Sequence, residues 1–326
     1  MMTLNSTPEN PVPPGGLLRA VRTQDGVELR VAHWRPTTRL VKGTVCLLQG
    51  RAEFIEKYYE TISDLRRRGF AVVAFDWRGQ GESQRQTDDA HRGHVARFSD
   101  YLRDLKAVEE AVLAPLMPYP HLCLAHSMGA AVAFAAAADG RLPFARLVTV
   151  APMLALRMVR WPMAASLLAR TLHRIGLGRR YVPFGGPVSI GTKPFAGNRL
   201  SGDPVRYTRN AAAARHVGAG AVGDPSIAWL AEAFRVMARL RDRRVASRIA
   251  IPSLIVGAGA DPVCETRAAE RFARMARGVH ILVLPGARHE ILSETDAIRA
   301  EFWAAFDAFM PGEAADTRPV AAYAEA

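Results

Sequence analysis

The chain has 326 residues, 49% hydrophobic and 23% charged, a globular composition that excludes disordered, collagen-like and coiled-coil chains. Lys and Arg number 43 against 31 Asp and Glu, giving +12; residues 151–220 alone hold eleven Lys/Arg and one acid, Asp203. Such an excess invites an anionic partner, but no apolar run reaches the roughly 18–20 residues of a membrane span, and no helix-turn-helix, zinc or aromatic-interleaved basic motif points to nucleic acid.

Residues 1–16 are rich in Pro, Gly and Asn and read as a flexible tail, without the basic start and apolar core of a secretory signal. Asp25-Gly26 lies between alternating apolar positions, with Val27, Leu29 and Val31 on the second run. This predicts a hairpin over 17–22 and 27–35. Short apolar runs then follow at 44–49, 70–75, 121–125, 146–150, 251–257 and 280–284. They alternate with helical stretches at 54–68, 98–114, 128–138, 264–276 and 294–309. Apolar runs of that length are strands buried on both faces of a parallel sheet. Their alternation with helices predicts an α/β fold, a mostly parallel central sheet flanked by helices with right-handed connections.

The rhythm breaks over 151–224, where Pro, Gly and basic residues are frequent. This segment reads as a cap, or lid, inserted between two strands, with one helix over 162–175 opened by Pro162. Residues 17–150 and 225–310 then form the two parts of one core, and 311–326 a second flexible tail. Three cysteines, Cys46, Cys123 and Cys264, are too few and too scattered for a disulfide framework or a zinc site. They suit a reducing, cytoplasmic setting.

The strongest chemical signal is Ala125-His126-Ser127-Met128-Gly129. An apolar strand leads into it and an Ala-rich helix leads out, the setting of a nucleophile elbow. Small residues two positions either side of the serine relieve a crowded turn. The turn raises Ser127 Oγ above the strand ends and sets the Met128 N–H at a helix N-terminus, where it suits a developing oxyanion. A serine needs a base. His289, in the loop after 280–284, lies at the same carboxyl edge of the sheet. His126 adjoins the serine but points away from it, and His91 and His94 beside Asp88 and Asp89 read as a solvated loop. Asp261-Pro262, after 251–257, reads equally as a helix N-cap pair and as the carboxylate that orients the base. The chain order Ser127, Asp261, His289 selects the second reading. The other oxyanion donor is the Arg51 N–H, in the loop Gln49-Gly50-Arg51-Ala52-Glu53.

Six stretches in order, LLQGRAEFIEKYYE, FAVVAFDWRGQGES, RGHVARFSDYLRDL, LAHSMG, GAGADPV and GARHEIL, resemble the α/β-hydrolase group of bacterial lysophospholipases and monoglyceride lipases, which some serine aminopeptidases share. The resemblance covers about 27–310 and is thinnest over 151–224. It implies Ser127 as nucleophile, Asp261 and His289 as its partners, Arg51 and Met128 amides as oxyanion donors, and a cap over the site. Two departures stand out. Ala125 replaces the usual glycine, and Gln49-Gly50 replaces His-Gly, with the Gln49 side chain expected to hydrogen-bond its loop. Asp76, Arg78, Gly79, Gly81 and Ser83 match a structural loop of that group.

The expected activity is hydrolysis of a lipid carboxylic ester, a lysophospholipid or monoacylglycerol, with no metal or organic cofactor. Met153, Leu154, Met158, Val159, Trp161, Met163, Leu167 and Leu168 are candidate walls for an acyl chain and equally candidates for packing within the cap. The basic cap offers peripheral contact with an anionic membrane. A serine aminopeptidase-like peptidase and a catalytically silent binding module on the same fold are the alternatives.

Overall fold

The computed structural model describes residues 2–310, so the tail expected over 311–326 lies outside the described residues. Eight strands form one sheet: β1 (Leu17–Arg22), β2 (Glu28–Trp34), β3 (Gly43–Leu48), β4 (Phe70–Phe75), β5 (His121–His126), β6 (Arg146–Val150), β7 (Ser253–Ala258) and β8 (Val279–Leu284). Their order in space is β1-β2-β4-β3-β5-β6-β7-β8. β1 and β2 make the expected antiparallel hairpin, and β2 also runs antiparallel to β4. All later pairings are parallel. β3, β4, β5 and β7 are buried throughout, as their largely apolar sequences predict. β8 departs from that pattern: it is an edge strand, so Val279 and Leu284 are buried while His280 is exposed.

Helices cover both faces. One face packs Ser99–Val108, Met128–Ala138, Ile227–Leu240 and Thr266–Met275 through side chains such as Tyr101, Phe134, Trp229 and Phe272. The other packs Tyr59–Arg67 and Asp296–Phe309 through Ile62, Leu65, Phe302 and Phe306. Phe70 on β4 meets Phe306 edge-on at 5.9 Å; each fully buried side chain of this size contributes roughly 1.5–3 kcal/mol. Among the described residues no helix is long and apolar enough to cross a membrane.

The segment between β6 and β7 holds the expected helix, Pro162–Arg174, and the longer helices Pro204–His216 and Ile227–Leu240, followed by the short helix Arg243–Ala246. Ile227–Leu240 lies beyond 224 and packs against Pro162–Arg174. The buried side of Pro162–Arg174 is Ala169, flanked by half-buried Ala165 and Leu172. Trp161, Leu168 and Ile175 are exposed.

The expectation of a loose tail over 1–16 is corrected for residues 2–16. Asn5 Nδ2 donates to Glu56 and Glu82 at 3.0 and 2.8 Å, and Asn10 Nδ2 to the Glu56 carbonyl at 2.9 Å. Trp34 Nε1 donates to the Pro13 carbonyl at 2.9 Å. Buried Arg30 on β2 ties this strap to the body: it donates to Thr3 O at 2.8 Å, to both Glu56 oxygens at 2.8 Å and to Asp76 at 2.7 Å. Asp76 in turn accepts the N–H groups of Ile55 and Glu82 at 3.0 and 2.8 Å. A Cβ on Gly81 would fall 1.9 Å from Asp76 Cγ, so this loop closes only with glycine there.

Candidate active site

β5 ends at His126 and the Ala-rich helix begins at Met128, leaving Ser127 between them at φ 49° and ψ −108°. A non-glycine residue in that region is strained and persists only where its surroundings hold it. Here Ser127 N–H donates to Val150 O at 3.0 Å, and Ser127 O accepts from Met153 and Ala131 at 3.0 and 3.2 Å. A Cβ on Gly129 would lie 2.3 Å from Leu48 O, so the helix can cross β3 this closely only with glycine. Ala125, paired with Leu48 and Thr149 and wholly buried, accommodates its methyl.

Three loops at the carboxyl ends of β5, β7 and β8 bring the serine, carboxylate and imidazole together. His289 Nε2 lies 3.0 Å from Ser127 Oγ, and His289 Nδ1 lies 2.8 Å from Asp261 Oδ2. The other oxygen, Asp261 Oδ1, accepts the N–H groups of Val263 and Cys264 at 2.7 and 3.0 Å. Both readings of Asp261-Pro262 therefore hold at once: one oxygen caps the turn, the other faces the histidine. Burial pushes the Asp261 carboxyl up, but the His289 imidazole and those two N–H groups outweigh it and hold it below the usual carboxylate range. Cys264 lies beside the cluster, within 4.8 Å of Asp261 and His289 atoms, where burial pushes its thiol well up; it is a protonated neighbour rather than a thiolate.

A second buried network, absent from the sequence-based expectations, stands behind the first. His126 turns away from the serine as expected; its Nδ1 lies 3.0 Å from Glu53 Oε2 and its Nε2 3.2 Å from the His289 carbonyl. Glu53 also accepts from Gly50 N–H, Tyr58 OH and Lys57, and Lys57 reaches on to Glu290. Burial pushes the Glu53 carboxyl up, but His126 and Lys57 overcome this and hold it well below its ordinary value. Burial pushes the His126 imidazole down, and Glu53 more than reverses that. One carboxylate thus braces the Gly50–Arg51 loop on one side and the His289 loop on the other.

The loop that carries Arg51 is held differently from expectation. The Gln49 amide nitrogen and oxygen are buried without a hydrogen-bond partner. Gln80 does the work instead: its Oε1 accepts Ala52 N–H at 2.9 Å and its Nε2 donates to Gly50 O at 3.1 Å. The signal was available, since Glu53 and Gln80 both fall inside quoted stretches, flanked by Ala52-Phe54 and Gly79-Gly81. His94 is also corrected. It is buried rather than solvated, with Nδ1 2.8 Å from Ser226 Oγ, and burial with Arg179 and Arg92 pushes its imidazole down to about 4.

Above Ser127 and His289 lies a cavity of about 640 Å³, walled by cap and body. Met153, Met158 and Val159 line it as expected, joined by Leu156, Trp229 and Val263. Leu154 is instead core, and Trp161, Met163, Leu167 and Leu168 face outward, 67%, 87%, 67% and 50% exposed. The Arg51 side chain also lines the cavity, donating to Gly223 O at 2.7 Å and stacked 5.7 Å from Trp229.

A family model described as serine aminopeptidase, S33, matches residues 40–296. Lysophospholipase L2 of Escherichia coli (strain K12) is 33% identical over 268 residues, covering 78% of this chain and 76% of its own length. Monoglyceride lipase of Rattus norvegicus is 30% identical over 177 residues, 53% of this chain and 56% of its own. A soluble variant of monoglyceride lipase from Saccharomyces cerevisiae, solved with a substrate analog, superposes with a TM-score of 0.72 at 17% identity, over 91% of this chain and 96% of that one; this is a likeness of fold.

Proposed function

Because the chain belongs to the serine aminopeptidase, S33, family of α/β-hydrolases, we propose that it is a serine hydrolase that cleaves the carboxylic ester of a monoacyl lipid, a lysophospholipid or monoacylglycerol, through an acyl-enzyme. The observation that carries this reading is His289, bridging Ser127 Oγ at 3.0 Å and Asp261 Oδ2 at 2.8 Å. Ser127 Oγ attacks the acyl carbonyl while His289 Nε2 takes its proton. Asp261 holds the imidazole with its proton on Nδ1 and stabilises the cation that forms. The N–H groups of Arg51 and Met128 receive the oxyanion; Met128 is the first residue of its helix, so its N–H has no carbonyl one turn back. The ester C–O bond breaks, the alcohol leaves with the proton from His289, and water attacks the acyl-enzyme with the same imidazole as base. Fatty acid departs and Ser127 regains its proton.

The apolar wall of Met153, Met158, Val159 and Val263 suits the acyl chain. The peptidase alternative needs a free acid to hold a substrate amine, and Asp203, the acid expected in the cap, is occupied by Arg206 at 2.9 Å and by capping its own helix. Ser127→Ala is expected to abolish hydrolysis of short p-nitrophenyl esters and labelling by a fluorophosphonate probe. Wild-type turnover by that variant would refute the assignment, and failure of the folded wild type to label would favour a silent binding module.

The outward face of the cap supports a further part of this reading, contact with an anionic lipid surface. Trp161, Met163, Leu167 and Leu168 are exposed beside Arg160, Arg170 and Arg174, with Arg160 stacked on Trp161 at 4.9 Å. Basic residues near an anionic leaflet contribute about 1 kcal/mol each. Sedimentation with phosphatidylglycerol vesicles is expected, weakening with salt and lost in Trp161→Ser/Leu167→Ser.

A further inference from the structure

The cavity has a basic side that opens to solvent. Lys193 and Arg199, both exposed to solvent, line it together with Ser127 and His289, and no carboxylate lies within ion-pair distance of either among the described residues. Their neighbours differ. Lys57 lies between Glu53 and Glu290, Arg206 pairs with Glu60 and Asp203, and Arg209 pairs with Glu60. The acids that line the cavity are already engaged: Glu53 and Glu290 with Lys57, and Asp224 with Gly186 N–H at 3.0 Å.

The segment bearing the two cations is also fixed. Tyr207 OH donates to Lys193 O at 2.9 Å. Asn198 Oδ1 accepts the N–H groups of Leu200 and Ser201 at 2.8 and 3.1 Å. Arg288 donates to Asn198 O and Ser201 O at 3.3 and 3.1 Å, and Glu290 N–H to Leu200 O at 2.8 Å. Arg288 and Glu290 flank His289, so both cations stand on a strand of chain stitched to the loop of the histidine.

We propose that Lys193 and Arg199 form a head-group subsite for a phosphodiester, which makes a lysophospholipid a better substrate than a neutral monoacylglycerol of the same chain length. The proposal rests on the ester-hydrolase reading above. A phosphate bears one negative charge and free oxygens that accept from a guanidinium fork and an ammonium, and such charge-assisted bonds are short and strong. A neutral glycerol head would enter the same space and leave both cations unmatched.

Recruitment to an anionic interface would also favour charged lipids, so the test uses monomeric substrates. We compare kcat/KM for octanoyl lysophosphatidylglycerol and octanoylglycerol, both below their micelle concentrations, in wild type, Lys193→Gln, Arg199→Gln and the double variant. The wild type is expected to prefer the phosphodiester, and that preference ratio to fall about tenfold per cation removed. Calorimetry on Ser127→Ala reads the subsite without turnover: sn-glycerol 3-phosphate is expected to bind, and glycerol, or either ligand with the double substitution added, is not. An equal rate on the two octanoyl esters, or a preference that survives in the folded double variant, overturns the subsite while leaving the hydrolase intact. Loss of all ester hydrolysis in wild type, with glycerol phosphate still bound, would instead strike the ester-hydrolase reading and remove the substrate preference with it.

Discussion

The floor of the cavity and the cap segment 193–199 above it treat their charged groups in opposite ways. On the floor, Asp261 accepts three hydrogen bonds, Glu53 braces four donors, and His289 is held at both ring nitrogens and at its carbonyl. In the cap, Lys193 and Arg199 face the cavity without a carboxylate, and Trp161 and Met163 face outward. A group bonded to its neighbours is in position before substrate arrives, while an exposed cation without a protein partner can meet a ligand at the cost only of its water. On the proposed reading, the preorganised floor carries the chemistry and the cap the discrimination among substrates.

The floor is tested most severely at Asp261. In Asp261→Asn the amide oxygen can still accept from Val263 and Cys264, so the fold should survive. The amide NH₂, however, would face His289 Nδ1 and select the tautomer that carries its proton on Nε2, which cannot take the serine's. A fall in kcat of about 10⁴-fold is expected with little change in melting temperature. A variant within tenfold of wild type would mean that the floor does not need its carboxylate.

Glu53→Gln comes next. It leaves Lys57 with one carboxylate fewer, removes the charged acceptor of His126, and weakens the bracing of both Gly50 and, through His126, the His289 carbonyl. Breaking a buried charged pair typically costs about 3–5 kcal/mol, and misplacing a catalytic group by an ångström about 10²-fold in rate. Both losses should appear together in denaturant melts and in kcat. A loss of stability with kcat intact would confine Glu53 to a structural role.

Floor and cap meet at His94, and there the comparison becomes pH-dependent. Gly223 N–H donates to His91 O at 2.7 Å, Ser226 N–H to Gly93 O at 2.8 Å, and His94 Nδ1 lies 2.8 Å from Ser226 Oγ, the cap of helix Ile227–Leu240. The folded imidazole takes its proton only near 4, whereas an unfolded histidine does so at about 6.5. The unfolded state thus binds more protons between those values. The stability contributed is complete above pH 6.5 and is lost as pH falls toward 4. Lowering pH from 7 to 5 should cost about 1–2 kcal/mol at this site. His33, also pushed down to about 4 by burial with Arg19 and Arg35, adds to the slope. His94→Asn, which can keep the Ser226 bond, should flatten the pH dependence of urea melts; an unchanged slope would place the titration elsewhere.

How far the sequence reveals this molecule follows the same division. The sheet is legible because β3, β4, β5 and β7 are largely apolar and local, and the elbow because strand, small residues and helix are contiguous around Ser127. The three-loop convergence on His289 follows from the common edge of parallel strands. What is not legible depends on partners far apart in the chain. His126 meets Glu53, 73 residues away, and Asn5 meets Glu56 and Glu82, so a Pro-rich stretch that reads as loose is a strap. Helix Pro204–His216 is too mixed in polarity to announce an apolar face, yet Asp203-Pro204 is a cap-and-first-turn pair of the same kind as Asp261-Pro262. The orientation of the cap helix is not legible either: Trp161, Met163, Leu167 and Leu168, candidates for the acyl wall or for cap packing, are exposed. Ala169 is buried and Ala165 and Leu172 are half-buried on the side that meets Ile227–Leu240.

Gln49 is the exception that sharpens the rule for the floor. It stands where the related group carries histidine, it is wholly buried, and neither atom of its amide has a partner. Its backbone carbonyl accepts Trp77 Nε1 at 2.9 Å, a bond that any side chain would leave in place. An unsatisfied buried amide forfeits its hydration with nothing in return, roughly 1–3 kcal/mol, whereas an apolar side chain of similar shape does not. Gln49→Leu is therefore expected to raise stability by about 1 kcal/mol in urea melts, with hydrolysis of p-nitrophenyl esters kept, since Gln80 and Glu53 hold the loop. A lower midpoint would show that the amide is bonded in solution, by a buried water or by a turn of its own loop, and the floor would then hold its polar groups without exception.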